Sequence, residues 1–305
     1  MRSWQALPLG NHQRIPFLSR NFYTFGGYII SETMAIEILA APNLRTSYMK
    51  MVKHLRELSY DSLLLNFPEN LEPLVRELVE NKLSYKAFIK EVRKQKLVPE
   101  PIDGWRYTAE PLLKSLEDLK LRRHKMECYC YKDTNYTLIS ADVASKIAQL
   151  TLRASITRKI DVEDWKNILK GGMKHKREAL EKEVDSIHEK SSNECSCTSG
   201  LDGEQLEQCL IERGRRVKLT NIEEFYHPMP LEILEERLAK GDVPDEEAEE
   251  LIMDHLEYIK NYILTSKNRD QAYYQWVYDK VPSLRPKIDP EEIRHLDVLL
   301  LPNNI

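Results

Sequence analysis

Met34-Ala35-Ile36-Glu37-Ile38-Leu39-Ala40-Ala41-Pro42 is the stretch that decides how the rest of the chain is read. It is a short, nearly continuous apolar run closed by proline, the pattern of a strand buried on both faces. Directly downstream, Tyr48, Met51, Val52, Leu55 and Leu58 fall at helical spacing. Ser62-Leu63-Leu64-Leu65 is a second apolar run, and Leu71, Leu74, Val75, Leu78 and Val79 make another helical stripe. Strand, helix, strand, helix is the order of a parallel sheet covered by its own crossovers. The expected fold is a helix-rich α/β class with a mostly parallel central sheet, a helical insertion and C-terminal helices.

Upstream of Met34 the texture differs. Residues 1–33 carry Pro8, Gly10, Pro16, Gly26 and Gly27 and show no helical period, so an extension outside the core is expected there. The core is expected over 34–235, with a helical insertion at about 140–212, and a C-terminal helical region over 236–305. Within the core, Pro99, Pro101 and Gly104 mark a loop, and Thr108 is placed to cap the helix carrying Leu112, Leu113, Leu116 and Leu119. Lys125-Met126-Glu127-Cys128-Tyr129-Cys130-Tyr131 alternates as a third strand does. A helix is expected over 142–156. Asp161 opens a short one that Gly171-Gly172 should stop, and a charged helix follows over 174–190. The Ser, Asn, Gly and acidic content of 191–203 predicts a mobile loop. A helix over 205–211, a fourth strand over 216–222 and two closing helices complete the reading, with 298–301 as a final strand or docking run.

Composition narrows the function classes. The 305 residues are 42% hydrophobic, enough for a sizeable core, and 31% charged, with a net charge of −4 that disfavours a general nucleic-acid binder. No run approaches the length of a membrane span, and no basic segment leads into an apolar one at the N-terminus, so neither a span nor a secretory signal is expected. Five cysteines, an odd number in a chain this large, suggest a reducing, cytoplasmic setting. The abundance of Lys and Glu suits a heat-adapted source.

The most suggestive chemistry is Glu223-Glu224-Phe225-Tyr226-His227-Pro228, directly after a predicted strand. In open α/β sheets ligands bind at the carboxyl ends of strands, and Glu with His there can serve as base and acid. Glu223, Glu224 and His227 are therefore the candidate catalytic residues. A histidine beside two carboxylates is expected to have a raised pKa. A polar loop whose histidine only packs is the plainer reading of the same residues. Two other strand ends should face the same edge, which makes Asn43, Arg45, Asn66 and Glu69 candidate ligand-binding residues.

Cys128 and Cys130 share one strand face, and Cys195 and Cys197 repeat their spacing. Four thiolates can hold zinc, but a one-residue gap is not the usual knuckle, and buried small apolar side chains suit the first pair better. No cofactor is called for, and a metal is a minor possibility. The basic stretch from Arg158-Lys159 through Lys166, Lys170, Lys174, His175, Lys176 and Arg177 is cancelled by Glu178, Glu181, Glu183 and Asp185, as on a solvated helix. His255 lies on an apolar helical stripe, where a core histidine is the better reading.

The order of the pieces over roughly 34–234 resembles the TraB, Tiki and ChaN-like group of α/β proteins. Ile36-Glu37-Ile38-Leu39-Ala40-Ala41-Pro42-Asn43 resembles the group's first strand and loop. Tyr60-Asp61-Ser62-Leu63-Leu64-Leu65-Asn66-Phe67-Pro68 is similar to its second, and Arg216-Val217-Lys218-Leu219 running to Tyr226-His227 to its late strand. Asn43 stands where the group has a histidine and Asn66 where it has an acid. An amide neither takes a proton near neutral pH nor replaces imidazole on a metal. The resemblance thus implies a non-catalytic or degenerate member that binds a ligand or a protein partner. A hydrolase using Glu223 or Glu224 with His227 is the alternative, and a nucleic-acid accessory role, resting on the basic stretch, the third.

Overall fold

The sheet has five strands in the order β3-β2-β4-β1-β5, all parallel. They are β1 (Ala35–Ala40), β2 (Ser62–Pro68), β3 (Glu127–Lys132), β4 (Glu194–Ser199) and β5 (Arg216–Asn221). The computed structural model describes residues 35–191, 194–291, 293 and 296. The expected extension at 1–33 and the final run at 298–301 lie outside the described residues.

The apolar runs form strands because both faces are covered. On one face, α1 (Arg45–Glu57), α2 (Glu72–Val79), α3 (Tyr85–Lys94) and α4 (Ile102–Arg122) pack Met51, Val75, Phe88 and Leu116 against Leu39, Leu63 and Leu65. On the other, α6 (Val162–Lys190) and α7 (Gly203–Glu212) bring Val184, Ile187, Leu206 and Leu210 onto Ile36, Ile38 and Leu64. Each such fully buried aliphatic side chain contributes about 1.5–3 kcal/mol. β5 is one of the two edge strands, with largely alternating exposure, and Lys218 reaches back to Glu37 at 2.7 Å. A charged edge of this kind discourages pairing with another chain.

The largest departure from the sequence reading is β4. The segment expected to be a mobile loop is the central strand, hydrogen-bonded to β1 on one side and β2 on the other. Its side chains are small enough to fit between two helical layers, and the Thr198 hydroxyl finds backbone partners. Thr198 Oγ1 donates to Leu64 O at 3.3 Å and accepts from Asn66 N at 2.8 Å. β4 and α7 therefore belong to the sheet layer and not to an insertion.

Two helices are longer than expected. α5 (Thr134–Thr157) starts at its Asp133 cap, eight residues before the apolar pattern begins at 142. α6 runs through Gly171-Gly172 without a break. A Cβ on Gly172 would lie 3.3 Å from Val143 Cγ2, so the glycine lets α5 and α6 approach closely and does not end the helix. Thr108 is also not a cap: it is buried inside α4, which begins at Ile102. Among the described residues the closing region includes α8 (Pro230–Lys240), α9 (Asp245–Tyr258) and α10 (Arg269–Lys280), with a π-helical turn over Ile259–Ile263. Among the described residues no helix is long and apolar enough to cross a membrane.

Candidate functional site

Because every strand is parallel, all five carboxyl ends lie along one edge of the sheet. The loops after β1 and β2 lead to helices on one face, whereas the loop after β4, which lies between them, leads to α7 on the other. Neighbouring loops that diverge in this way open a crevice, the position where ligands sit in open α/β sheets.

Two charged clusters occupy this edge. The first is built on the start of α1, whose Leu44 cap supplies no side-chain acceptor. Asp270 of α10, fully buried, takes that place. It accepts from Arg45 N at 3.2 Å, Thr46 N at 2.8 Å and Thr46 Oγ1 at 2.7 Å. The positive end of a helix favours an anion, and here the chain supplies its own. The Arg45 side chain turns away to Glu110 Oε2 at 2.7 Å and to Tyr107 O at 2.7 Å. That carbonyl is free because Pro111, four residues on inside α4, has no N–H to donate to it.

The second cluster lies at the ends of β3 and β4. Lys132 Nζ donates to Asp202 Oδ2 at 2.7 Å and to Glu183 Oε2 at 2.8 Å, with Glu183 itself 3% exposed. Glu183 also accepts from Asp133 N at 3.3 Å, and Ser199 Oγ donates to Asp202 Oδ1 at 3.0 Å. Burial alone would lower the Lys132 pKa, but the two carboxylates more than offset it and hold the ammonium charged. Burial likewise opposes ionisation of Asp202, yet Lys132 and Lys176 hold its carboxyl well below the usual range. Glu183 is pushed up by burial, which its share of Lys132 does not cancel.

Around this cluster several polar groups are left without partners among the described residues. Tyr48 is only 8% exposed, and its hydroxyl makes no hydrogen bond with them. Burial, followed by the charge of Asp202, pushes that phenol up to about 12. Asn66 Oδ1 is buried and unpartnered. Tyr136, at the start of α5, feels Lys132, Glu235, Asp202 and Glu183. Glu235 of α8 is partly open to water and has no ion pair, and burial, opposed only by Lys176, pushes its carboxyl up. Glu232 beside it caps α8 by accepting from Met229 N at 2.8 Å, and it also holds the Tyr226 hydroxyl at 2.6 Å.

The residues singled out from the sequence are distributed around these clusters. Glu223 Oε1 accepts from Ser47 Oγ at 2.9 Å, and Lys50 Nζ lies 2.8 Å from Oε2. Glu224 and Asn43 are exposed. Arg45 belongs to the Asp270 cluster and Asn66 to the second cluster. Glu69 lies beside α6 instead, accepting from Ser186 Oγ at 2.6 Å and Lys190 Nζ at 3.0 Å. The raised pKa expected for His227 is not found. Its ring packs against Trp276, with 5.6 Å between ring centroids, and burial lowers its pKa.

The cysteine pairs lie on opposite faces of the sheet, Cys128 and Cys130 with α1–α4 and Cys195 and Cys197 with α6 and α7. They cannot share one metal ion. All five thiols are free, and burial pushes each of them up. In the basic stretch Lys166 is buried, bonded to Val243 O and Asp245, so it offers nothing to a nucleic acid.

Lys132, Glu183, Asp202, Tyr48, Tyr136 and Glu235 were all missed as site residues. The usable signal was Ser199-Gly200-Leu201-Asp202-Gly203 leading into an amphipathic helix, a strand–turn–helix junction at a sheet edge. A Cβ on Gly203 would come within 2.7 Å of Ala40 Cβ, so only glycine lets α7 start this close to the end of β1. Comparison with known proteins finds no family, no curated relative and no solved structure that matches this chain.

Proposed function

We propose that this chain is a ligand-binding α/β protein, a non-catalytic relative of the TraB, Tiki and ChaN-like group, whose small polar ligand occupies the crevice above β4. The observation that carries the reading is the buried, unpartnered Asn66 Oδ1, with the Tyr48 hydroxyl, on a residue only 8% exposed, making no hydrogen bond with the described residues. A buried polar group without a hydrogen bond, such as Asn66 Oδ1, costs about 1–3 kcal/mol, a cost that a bound ligand would recover. Binding is favoured over hydrolysis because Glu223, Asp202 and His227 are already engaged. Glu223 holds Ser47 and Lys50, Asp202 holds Lys132 and Ser199, and the His227 ring packs on Trp276. A cytoplasmic setting suits the five free thiols.

The test is thermal denaturation of the full chain against a panel of small polar organic molecules, repeated on Tyr48→Phe, with ester, phosphoester and peptide hydrolysis assayed on the same samples. At least one panel member should raise the Tm of the wild type and not of Tyr48→Phe. Multiple-turnover hydrolysis abolished by Glu223→Gln or His227→Asn would replace this reading with that of a hydrolase.

A further inference from the structure

A second surface, outside the crevice, carries exposed apolar side chains in a group. Of the nine large apolar side chains left exposed among the described residues, four belong to it, each more than half exposed. Met253 of α9 and Leu264, just past the π-helical turn, line a groove of about 710 Å³ that is open to solvent. Leu152 and Ile156 are the other two. They lie four residues apart on the turn of α5 that gives Ala154 and Ser155 to the groove wall, so they form a ridge on its shoulder. Single exposed apolar side chains are ordinary, whereas a contiguous set marks a contact surface. The groove runs where two packed clusters meet, with Leu256 from the one around Trp165 and Ile259 from the one around Trp276. Ile259, Lys260 and Asn261 of the π-helical turn line it, while Tyr262 of the same turn is buried in the core. Such turns are rare and are found frequently at functional sites. Four charged side chains also line the groove, two of each sign. Arg158, Lys260 and Glu249 make no ion pair with the described residues, and Glu257 pairs with Lys280 at 2.7 Å.

We infer that this surface pairs two copies of the chain about a two-fold axis, the Leu152–Ile156 ridge of each entering the groove of the other. Ridge and groove lie side by side, as a self-complementary patch requires, so the contact closes on two copies. The charges favour the same partner. A groove of one sign would suit an oppositely charged protein and repel its own image, but this one is balanced. Each uncommitted cation has an acid to meet on the other copy, and Glu249 has a cation. A small molecule in the groove would leave the ridge in water, whereas a second copy covers ridge and groove together. Removal of four large apolar side chains per copy from water supplies the driving force. The inference is independent of the ligand-binding reading of the crevice.

Sedimentation velocity of the full chain over about 1–200 µM tests this. The wild type should form a reversible dimer that dominates at the upper end. Ile156→Asp removes the ridge and Leu264→Asp the groove wall, and each should weaken the dimer by about thirtyfold or more, the size of a hot-spot loss. Both side chains are largely exposed in the single chain, so both variants should fold, and their melting curves verify this. Mixing the two variants gives the specific signature. The intact ridge of one then meets the intact groove of the other, so the mixed pair should associate more tightly than either variant does with itself. A wild type that stays monomeric throughout would overturn the inference, including the case in which a terminal segment of the chain covers the groove. A dimer equally strong in both variants would also overturn it, because the interface would lie elsewhere. Loss of the dimer in both variants with no gain on mixing would overturn the two-fold arrangement of ridge and groove.

Discussion

Asp270 and Asp202 are both carboxylates at the carboxyl edge of the same sheet, yet their surroundings differ. Asp270 is enclosed, with three donors from α1 directed at it, while the nearby Arg45 Nε and Tyr107 hydroxyl are buried without partners. Asp202 is equally well bonded, to Lys132 and Ser199, and near it Asn66 Oδ1 is buried without a partner, while the Tyr48 hydroxyl makes no hydrogen bond with the described residues. The first arrangement fastens a C-terminal helix to the core. The second leaves its unused polar capacity at the crevice between diverging loops, where a ligand site belongs.

Breaking the paired part of the second cluster should have the largest effect. Lys132→Met leaves Asp202 and Glu183 buried without a cation, and urea unfolding at pH 7 should show a loss of about 3–5 kcal/mol. Part of that should return on mild acidification. Glu183 already has a raised pKa, so it takes up its proton first and the penalty falls. A loss independent of pH would mean that packing of the lysine stem, and not its charge, is what matters.

Asp270→Asn tests the enclosed cluster. It turns an acceptor of three donors into a group with a donor of its own, and a loss of about 2–3 kcal/mol is expected. Hydrogen exchange should show α10 opening independently of the sheet, because that helix is fastened through this residue. Uniform loss of protection would instead mean that α10 and the core unfold as one unit.

A smaller effect separates the edge from the helical layer behind it. His255 lies against Trp165 and Thr151, and burial lowers its pKa to about 4. The unfolded chain binds this proton below about pH 6.5 and the folded one does not, so stability falls as pH drops from there towards 4. His255→Gln should remove about 2 kcal/mol of that slope, allowing for partial exposure. An unchanged slope would assign the acid sensitivity to His227, whose pKa is also lowered by burial.

The sheet was largely legible because β1, β2, β3 and β5 announce themselves through apolar or alternating runs. β4 did not. Glu194-Cys195-Ser196-Cys197-Thr198-Ser199 has no large aliphatic side chain, and small hydroxyl residues between glycine-rich and acidic neighbours look like a loop. They form a strand because a central position between two helical layers rewards small side chains whose hydroxyls can bond to neighbouring backbone. That single omission hid the second cluster. Without β4 there is no reason to bring Asp202 to Lys132, which is 70 residues away. Glu223 and Arg45 were placed at the right edge by topology, but their contacts with Ser47, Lys50 and Glu110 are set by α1 and α4, and no strand pattern predicts those. His227 was misjudged because tertiary packing on Trp276 outweighs the carboxylates next to it in sequence.

The central claim is that polar capacity beside Asp202 is held in reserve for a ligand and is not part of what keeps the chain folded. The most direct measurement is the unfolding free energy of Tyr48→Phe and Glu235→Gln at pH 7, without ligand, beside the wild type. Residues kept for binding cost the free protein nothing when neutralised, so both variants should lie within about 0.5 kcal/mol of wild type or be more stable by up to about 1 kcal/mol. A loss of about 1.5 kcal/mol or more in Tyr48→Phe, the worth of a strong hydrogen bond to a charged group, would contradict it. The phenol would then be a structural partner of Asp202, and the crevice a closed part of the core.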